Sequence, residues 1–120
     1  MRNSYISRRI ASFGYAFSGI AAFVKSEPHA RIHVIATVAV VVAGCWYKLS
    51  TAEWMWVILA ITLVWVTEMF NTVVEKIMDH LSPEYHPKVK WIKDVAAGAV
   101  LVAAIAAAII GGLIFAPRIF

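Results

Sequence analysis

Charge and cysteine are scarce in this chain, and each shortage narrows what the protein can be. Only 15% of the 120 residues are charged, and Cys45 is the single cysteine. One cysteine excludes a disulfide framework or a thiolate metal cluster within one chain. Because 62% of the residues are hydrophobic, the composition excludes an ordinary soluble domain and predicts a small integral membrane protein.

Several functional motifs are also missing. The sequence has neither a Walker A loop nor the glycine-rich loop of protein kinases, so any nucleotide site must be built from helix side chains. A signal peptide is not predicted, because no continuous apolar core and no cleavage site follow the N-terminal arginines. The net charge of +4 is spread along the flanks of apolar runs, which argues against nucleic acid and favours anionic headgroups and ATP phosphates as partners.

Four segments carry helical patterns. Residues 1–25 have apolar side chains at steps of three and four together with Arg8 and Arg9, which predicts an amphipathic helix in the membrane interface. Three apolar runs predict membrane helices at residues 31–48, 54–80 and 91–115. Without an internal repeat or a low-complexity linker, the whole chain, 1–120, is predicted to form a single all-α membrane domain.

Prolines and glycines predict the boundaries and the packing. Pro28 disfavours a helical Glu27 and predicts a hinge before the first span, while Pro83 and Pro87 predict a loop before the third. The third span is rich in alanine and contains glycines that predict close helix packing, at Gly98, Gly111 and Gly112.

The distribution of Lys and Arg predicts the orientation in the membrane. Five precede the first span, one lies in the first turn, four lie in the second loop and one is in the tail. The positive-inside rule therefore predicts a multi-pass membrane protein with a cytoplasmic N-terminus and second loop and an external C-terminus.

The polar residues of the second span form one stripe. At about 100° per residue, four of them fall within about 80° of each other on one helix face. These residues, called the acidic stripe below, are Glu68, Asn71, Glu75 and Asp79. Carboxylates cost about 3 kcal/mol each at the bilayer centre, so a functional role is the first hypothesis and a solvated cytoplasmic extension of the helix is the alternative.

Phosphoryl transfer would use this combination of groups. Carboxylates and Asn71 can gather around Mg²⁺, with substrate phosphates completing its coordination. Lys90 and Lys93 could neutralise phosphate oxygens. Glu68 is the most deeply placed carboxylate of the stripe and would be the general base for a hydroxyl group in the membrane.

The spacing Glu68-x-x-Asn71-Thr72-x-x-Glu75-x-x-x-Asp79 resembles the signature of the small prokaryotic diacylglycerol kinase family, which includes undecaprenol kinases. Essentially the whole chain takes part in the resemblance. The other matching positions are Arg8, Tyr15, Gly19, Glu27, Arg31, Glu84-Tyr85-His86 and Lys93-Asp94 with the Ala-Gly-Ala-Val that follows.

The resemblance implies a homotrimeric, ATP-dependent lipid kinase of the bacterial inner membrane, whose active sites are shared between neighbouring subunits at the cytoplasmic interface. It implies that Glu68 is the catalytic base, that Glu27 and Glu75 are the Mg²⁺ ligands, and that Arg8 and Arg31 lie with Glu68 on the lipid side. The residues implied for ATP are Arg8, Tyr15, Glu27, Asn71, Glu75, Asp79, Glu84, Tyr85, His86, Lys93 and Asp94.

The sequence also departs from the diacylglycerol-specific branch. Ala11 and Ala16 occupy positions at which the resembled diacylglycerol-specific branch has Lys and Ser, respectively. The Arg31-Ile-His33 pattern and the Tyr85-His86-Pro87 loop look more like the undecaprenol kinase branch. The lipid substrate, diacylglycerol or undecaprenol, therefore stays open.

Other interpretations remain beside these. A small proton-coupled transporter that uses Glu68 is the alternative function, although it would be expected to have four spans and a midplane carboxylate. His29 and His33 have a metal-like spacing, but helix-end polar contacts explain them more simply. Tryptophans such as Trp54 and Trp91 are best explained by interface anchoring or packing, and Lys88 and Lys90 by membrane anchoring or phosphate steering.

Overall fold

All of the secondary structure in the described part of the chain is helical. The computed structural model describes residues 2–120, with side chains from Ser4 onward, so Met1 and the side chain of Arg2 in the predicted surface helix lie outside the described residues. The helices are α1 (Arg2–Ser26), α2 (Pro28–Trp46), α3 (Thr51–Leu81) and α4 (Pro87–Ile119). Three of them, α2 to α4, are long and apolar enough to cross a membrane, which confirms the predicted number of spans.

Each membrane helix begins three or four residues earlier than its apolar run. The predicted starts were residues 31, 54 and 91, whereas the helices begin at Pro28, Thr51 and Pro87. Capping explains the difference, because the residues that start a helix are polar or proline and do not continue the apolar pattern. Before α3, the Ser50 hydroxyl accepts from the Glu53 N–H (3.2 Å), and the Glu53 carboxylate accepts from the Ser50 N–H (3.0 Å), which is a capping box.

The turn between α2 and α3 is fixed by hydrogen bonds that cap the end of α2 and the start of α3. Leu49 N–H donates to the Gly44 carbonyl (3.1 Å) and Lys48 N–H to the Cys45 carbonyl (3.3 Å), while Lys48 has a left-handed φ of 53°. These are the bonds of a Schellman motif, and they satisfy carbonyls that α2 leaves without partners. The capping box of α3 follows at once, so the turn has little freedom.

The chain forms two compact units, one ending at Val38 and the other Ala39–Phe120. In the second unit, the apolar core lies at the end where α2 meets α3. Leu49, Val57 and Ile114 are buried there. The half-buried side chains packed around them are Val40, Tyr47, Trp54, Ile61, Ile110 and Phe115.

Helices α3 and α4 pack along their length through small side chains of α4. Along one face of α4, buried and half-buried positions recur at steps of three and four: Lys93, Ala96, Val100, Ala103, Ala107, Ile110 and Ile114. Alanines let two helix backbones approach closely where a bilayer supplies no hydrophobic drive between helices. The glycines predicted to serve this purpose lie elsewhere: an added Cβ at Gly98, Gly111 or Gly112 would meet nothing within 4 Å in this chain.

An ion pair joins α3 and α4 at the core end. Arg118 donates through Nη1 and Nη2 to the two carboxylate oxygens of Glu53, at 2.5 and 2.6 Å. Nη1 also donates to the Ile114 carbonyl (2.8 Å), so the guanidinium is held by its own helix as well. A bidentate arginine pair of this kind fixes orientation as well as distance.

Candidate active site

The acidic stripe lies on the helix face through which α3 packs. At about 100° per residue, buried Val57 and Thr72 fall within about 40° of Glu68. Glu68, Asn71 and Glu75 are half-buried, and Asp79 is exposed. The packing face of α3 is therefore apolar near the core and polar toward Leu81, which concentrates the functional groups at one end of the pair.

Asn71 and Glu75 form the centre of the stripe. Asn71 Nδ2 donates to Glu75 Oε1 at 3.4 Å, one helical turn away. Asn71 Oδ1 is buried and has no hydrogen-bond partner among the described residues. A buried acceptor without a donor costs about 1–3 kcal/mol, so this oxygen is suited to a ligand that takes oxygen donors or supplies a proton.

Asp79 is brought to α4 by an ion pair with Lys93. The two helices are antiparallel neighbours joined by residues 82–86, so the last turns of α3 face the first turns of α4. The Asp79 side chain is 63% exposed and that of Lys93 35%. Because such exposed pairs are worth only about 0–1 kcal/mol, Lys93 can exchange this carboxylate for another anion at little cost.

Several other nucleotide-side candidates lie around the start of α4. Asp94 pairs with Lys90 one turn earlier on the same helix, at 2.5 Å. Glu84 and Tyr85 are exposed in the loop, and the Glu84 carbonyl accepts from the Ser82 hydroxyl at 3.4 Å. These groups are accessible and sit close in sequence to the Asp79–Lys93 pair.

His86 has a structural role that the sequence analysis missed. It is the N-cap of α4: its Nδ1 accepts from the Lys88 N–H at 3.1 Å, and Pro87 occupies the first helical position. The dipeptide His-Pro contained the signal, since proline favours that position and the residue before it then becomes the cap. A neutral ring that accepts through Nδ1 carries its proton on Nε2, which leaves that nitrogen able to donate.

In the first unit, Glu27 is the residue between α1 and α2, where the break predicted from Pro28 is present. Its side chain is 16% exposed, and its Oε2 lies 4.0 Å from His29 Nδ1. Arg31, predicted to lie on the lipid side, donates through Nη2 to the Lys25 carbonyl at 2.5 Å. Arg8 and Tyr15 are exposed on α1, where every side chain from Ser4 to Ala22 is exposed.

The oxygen donors of the stripe suit a hard divalent cation in part. Among the described residues, no group of three His, Cys, Asp or Glu side chains could hold a metal ion. Mg²⁺ does not require one, because it is usually bound by one or two carboxylates with waters and substrate phosphates. Glu75 together with the unpaired Asn71 Oδ1 fits that pattern. Within the described residues, His29 and His33 are not part of any such group of three, despite their metal-like spacing.

Comparison with known proteins decides the family. Residues 14–115 match the model of a family described as prokaryotic diacylglycerol kinase. The chain belongs to the prokaryotic diacylglycerol kinase family. An undecaprenol kinase of Bacillus subtilis is 38% identical over 95% of this chain and 93% of its own length. A diacylglycerol kinase of Escherichia coli is 31% identical over 86% of this chain and 84% of its own length.

A third relative, a diacylglycerol kinase of Synechocystis, is also 38% identical, over 90% of this chain and 62% of its own length. Membership in this family makes the protein a lipid kinase of a bacterial membrane, with a nucleotide as phosphoryl donor. The kinase hypothesis is thereby confirmed over the transporter alternative.

Two further residues of this kinase were missed from the sequence. The Glu53–Arg118 pair joins residues far apart in the chain, and no local pattern predicts such a contact. Glu53 also belongs to the capping box of α3. The sequence does indicate this second role, because Ser50-x-x-Glu53 precedes an apolar run. Both residues lie at the end of α3 and α4 opposite the Asp79–Lys93 pair, so they stabilise the pair of helices from outside the site.

Proposed function

We propose that the protein transfers the γ-phosphate of ATP to the hydroxyl group of a membrane lipid, undecaprenol or diacylglycerol, at the cytoplasmic interface. The observation that carries the proposal is the acidic stripe on the packing face of α3, which ends in the ion pair with Lys93 of α4. Phosphoryl transfer to a lipid hydroxyl needs a general base, oxygen donors for a metal ion and a positively charged side chain for the phosphate oxygens. The acidic stripe and Lys93 supply all three.

The length of α3 separates the roles by depth. Its 31 residues extend about 46 Å, whereas the hydrocarbon core is about 30 Å thick. Measured from Thr51, Glu68 lies about 25 Å along the helix and Asp79 about 42 Å. If the core end of α3 lies at the external interface, Glu68 is inside the hydrocarbon boundary and Asp79 is outside it. Glu68 is therefore the group that meets a lipid hydroxyl.

In the proposed reaction, Glu68 takes the hydroxyl proton as the lipid oxygen bonds to the γ-phosphorus. The bond from that phosphorus to the bridging oxygen breaks, and ADP leaves. Lys93 gives up Asp79 for the phosphate oxygens and stabilises the charge that develops on them. Arg8 is proposed on the lipid and nucleotide side, and His86 Nε2 as a donor to phosphate. The other nucleotide-side residues are Tyr15, Asp79, Glu84, Tyr85 and Asp94.

We propose that Glu27 and Glu75 hold Mg²⁺, with Asn71 beside Glu75. When bound, the ion would neutralise phosphate charge and orient the γ-phosphoryl group. The support for this is the chemistry of the donors: two carboxylates and one buried amide oxygen without a partner. Removal of divalent cations is expected to stop transfer.

We infer that α1 lies in the membrane interface. Its apolar residues Ile6, Ile10, Phe13 and Phe17 fall within about 60° of one another, while Arg8 and Tyr15 lie on the opposite face, within about 20° of each other. The apolar face would enter the lipid, and Arg8 and Tyr15 would face the nucleotide. We propose that the N-terminus and the site are cytoplasmic and the C-terminus is outside, which the excess of Lys and Arg before α2 and around the second loop supports.

We propose a homotrimer whose active sites combine residues of neighbouring subunits. One chain alone offers few ligands for the cation in its described part. The open surface at Gly98, Gly111 and Gly112 would allow close approach of another subunit.

The lipid is the finer question. The Bacillus subtilis relative is named for undecaprenol, and the Synechocystis and Escherichia coli relatives are named for diacylglycerol. Sequence identity does not decide between the two lipids, because the Bacillus subtilis and Synechocystis relatives are both 38% identical to this chain. The test is transfer of labelled phosphate from ATP to each lipid in micelles with Mg²⁺. The proposal predicts labelled lipid in at least one case. No transfer to either lipid would overturn it.

Glu68→Gln tests the base. The amide keeps the size of the side chain but cannot accept the hydroxyl proton, so turnover should fall by at least about a hundredfold, the lower range for losing a general base. Nucleotide affinity, measured by equilibrium binding, should stay close to that of the parent. Equal loss of binding and turnover would show that Glu68 is a ligand and not the base.

A further inference from the structure

The break between α1 and α2 is at Glu27, the residue between Ser26 at the end of α1 and Pro28 at the start of α2. We call residues 22–31 the elbow. Glu27 N–H donates to the Phe23 carbonyl, and Ala30 N–H donates to the Glu27 carbonyl, both at 3.1 Å. The backbone of Glu27 is thus tied to α1 and to α2. The direction of its carboxylate follows from the angle that the elbow adopts.

The inside of the elbow is tightly packed. Phe23 is 7% exposed and Ala30 is fully buried. The rings of Phe23 and His29 meet edge to face, with centroids 5.8 Å apart. The His29 ring in turn lies beside the Glu27 carboxylate, 4.0 Å from Nδ1 to Oε2. The His29 ring, on α2, therefore limits the positions that the Glu27 carboxylate can take.

Arg31 makes the contact that spans the elbow. Its Nη2 donates to the carbonyl of Lys25 at 2.5 Å. That carbonyl is in the last turn of α1, where carbonyls have no partner within the helix, and a cation there also interacts favourably with the helix dipole. The guanidinium thus ties the start of α2 to the end of α1, with Glu27 between them.

We propose that Arg31 is a positioning residue for Glu27. It holds the elbow at the angle that presents the Glu27 carboxylate, and it acts on the reaction through that carboxylate and not by binding the lipid. The inference rests on the proposed function, in which Glu27 holds Mg²⁺. Loss of Arg31 should loosen the elbow and weaken the response to the cation, while the lipid side is unaffected.

The kinetic test compares Arg31→Gln with Lys25→Gln. Both remove one positive charge from the elbow, but Lys25→Gln leaves the backbone carbonyl and the Arg31 contact in place. For Arg31→Gln, the Mg²⁺ concentration for half-maximal activity should rise roughly tenfold to a hundredfold, the range for changes one shell away from a metal ligand. The KM for lipid should not change. Lys25→Gln should match the parent, and Arg31→Lys, which keeps a donor, should recover part of the loss.

A raised KM for lipid with an unchanged Mg²⁺ response would overturn the proposal and assign Arg31 to lipid binding. Glu27→Gln, assayed alongside, tests the proposed function separately. If it leaves the Mg²⁺ response unchanged, Glu27 is not a metal ligand, whatever Arg31 does.

A readout without turnover tests the elbow itself. Spin labels at Ala11→Cys on α1 and Ile35→Cys on α2, both exposed, in a Cys45→Ser background report the distance across the elbow. The parent and Lys25→Gln should give one narrow distance distribution. Arg31→Gln should broaden or shift it. An unchanged distribution in Arg31→Gln would overturn the proposal even if activity is lost.

Discussion

Individual lysines near the start of α4 differ in what they contact, and this difference predicts their roles. Lys93 pairs with Asp79 on the other helix through its side chain, whereas Lys88 donates to the His86 cap through its backbone N–H. Lys93→Gln should therefore lower the turnover number by about a hundredfold or more, as expected for loss of a group that stabilises transition-state charge. Steady-state kinetics with ATP and lipid would measure it.

Lys88→Gln is the matched control, because it removes the same charge within two turns of the same helix. It should change the turnover number by less than about threefold, consistent with loss of a screened surface charge. If both variants lose activity equally, the effect of Lys93 on turnover comes from general electrostatic attraction and not from a specific contact.

Sequence reasoning located the acidic stripe because helical periodicity alone places Glu68, Asn71, Glu75 and Asp79 on one face. It did not locate their partners. That Asp79 meets Lys93 depends on the register of two antiparallel helices, and that Arg31 meets the Lys25 carbonyl depends on the angle of the elbow. Neither quantity is encoded in a local spacing.

At the scale of helices, the turn between α2 and α3 depends on one small residue. A Cβ at Gly44 would lie 2.5 Å from Cη2 of Trp54 and 3.1 Å from Cδ1 of Leu49. Gly44→Ala should therefore displace the indole and destabilise the protein by about 1–3 kcal/mol, the usual cost of overpacking. Gly14→Ala, in α1, is the control, because its Cβ would meet nothing within 4 Å and alanine favours a helix by up to about 1 kcal/mol. Thermal unfolding in micelles would separate the two, and equal losses would contradict the predicted clash.

The Glu53–Arg118 pair makes a different prediction at the same scale. Glu53→Gln keeps a side chain that can complete the capping box, but it loses the charge that binds Arg118. It should lower the melting temperature about as much as Arg118→Gln, and the double variant should cost little more than either single one. The turnover number at low temperature should stay near that of the parent. Additive losses would show that the two residues stabilise the protein independently.

Helix existence was predictable and helix starts were not. Long apolar runs predict α2 to α4 because length and composition suffice, and Pro28 predicts the break before α2. The starts at Thr51 and Pro87 depend on capping by Ser50 and His86, which hydropathy does not detect. The sequence likewise showed that α4 is rich in alanine but not which alanines pack against α3, because that depends on how the two helices pair.

For the whole molecule, the residues proposed for the reaction belong to different compact units, Glu27 to the first and Glu68 to the second. If neighbouring subunits share each site, Glu27→Gln and Glu68→Gln chains should be inactive alone and regain activity when exchanged into mixed trimers. One intact residue of each kind can then meet in the same site. Activity after mixing in micelles measures this, with unmixed variants as controls. No recovery despite confirmed subunit exchange would place both residues in one chain's site.

The closed turn from Tyr47 to Ser50 also bears on how the kinase folds. A Schellman motif and a capping box join α2 directly to α3, and residues 82–86 join α3 directly to α4, so neighbouring helices pack soon after they form. Proteins whose contacts are local in sequence fold fast, whereas subunit assembly is slower and depends on concentration. If the proposed homotrimer forms, recovery of activity after denaturation should be limited by the encounter of folded protomers, and its rate should rise with the amount of protein per micelle.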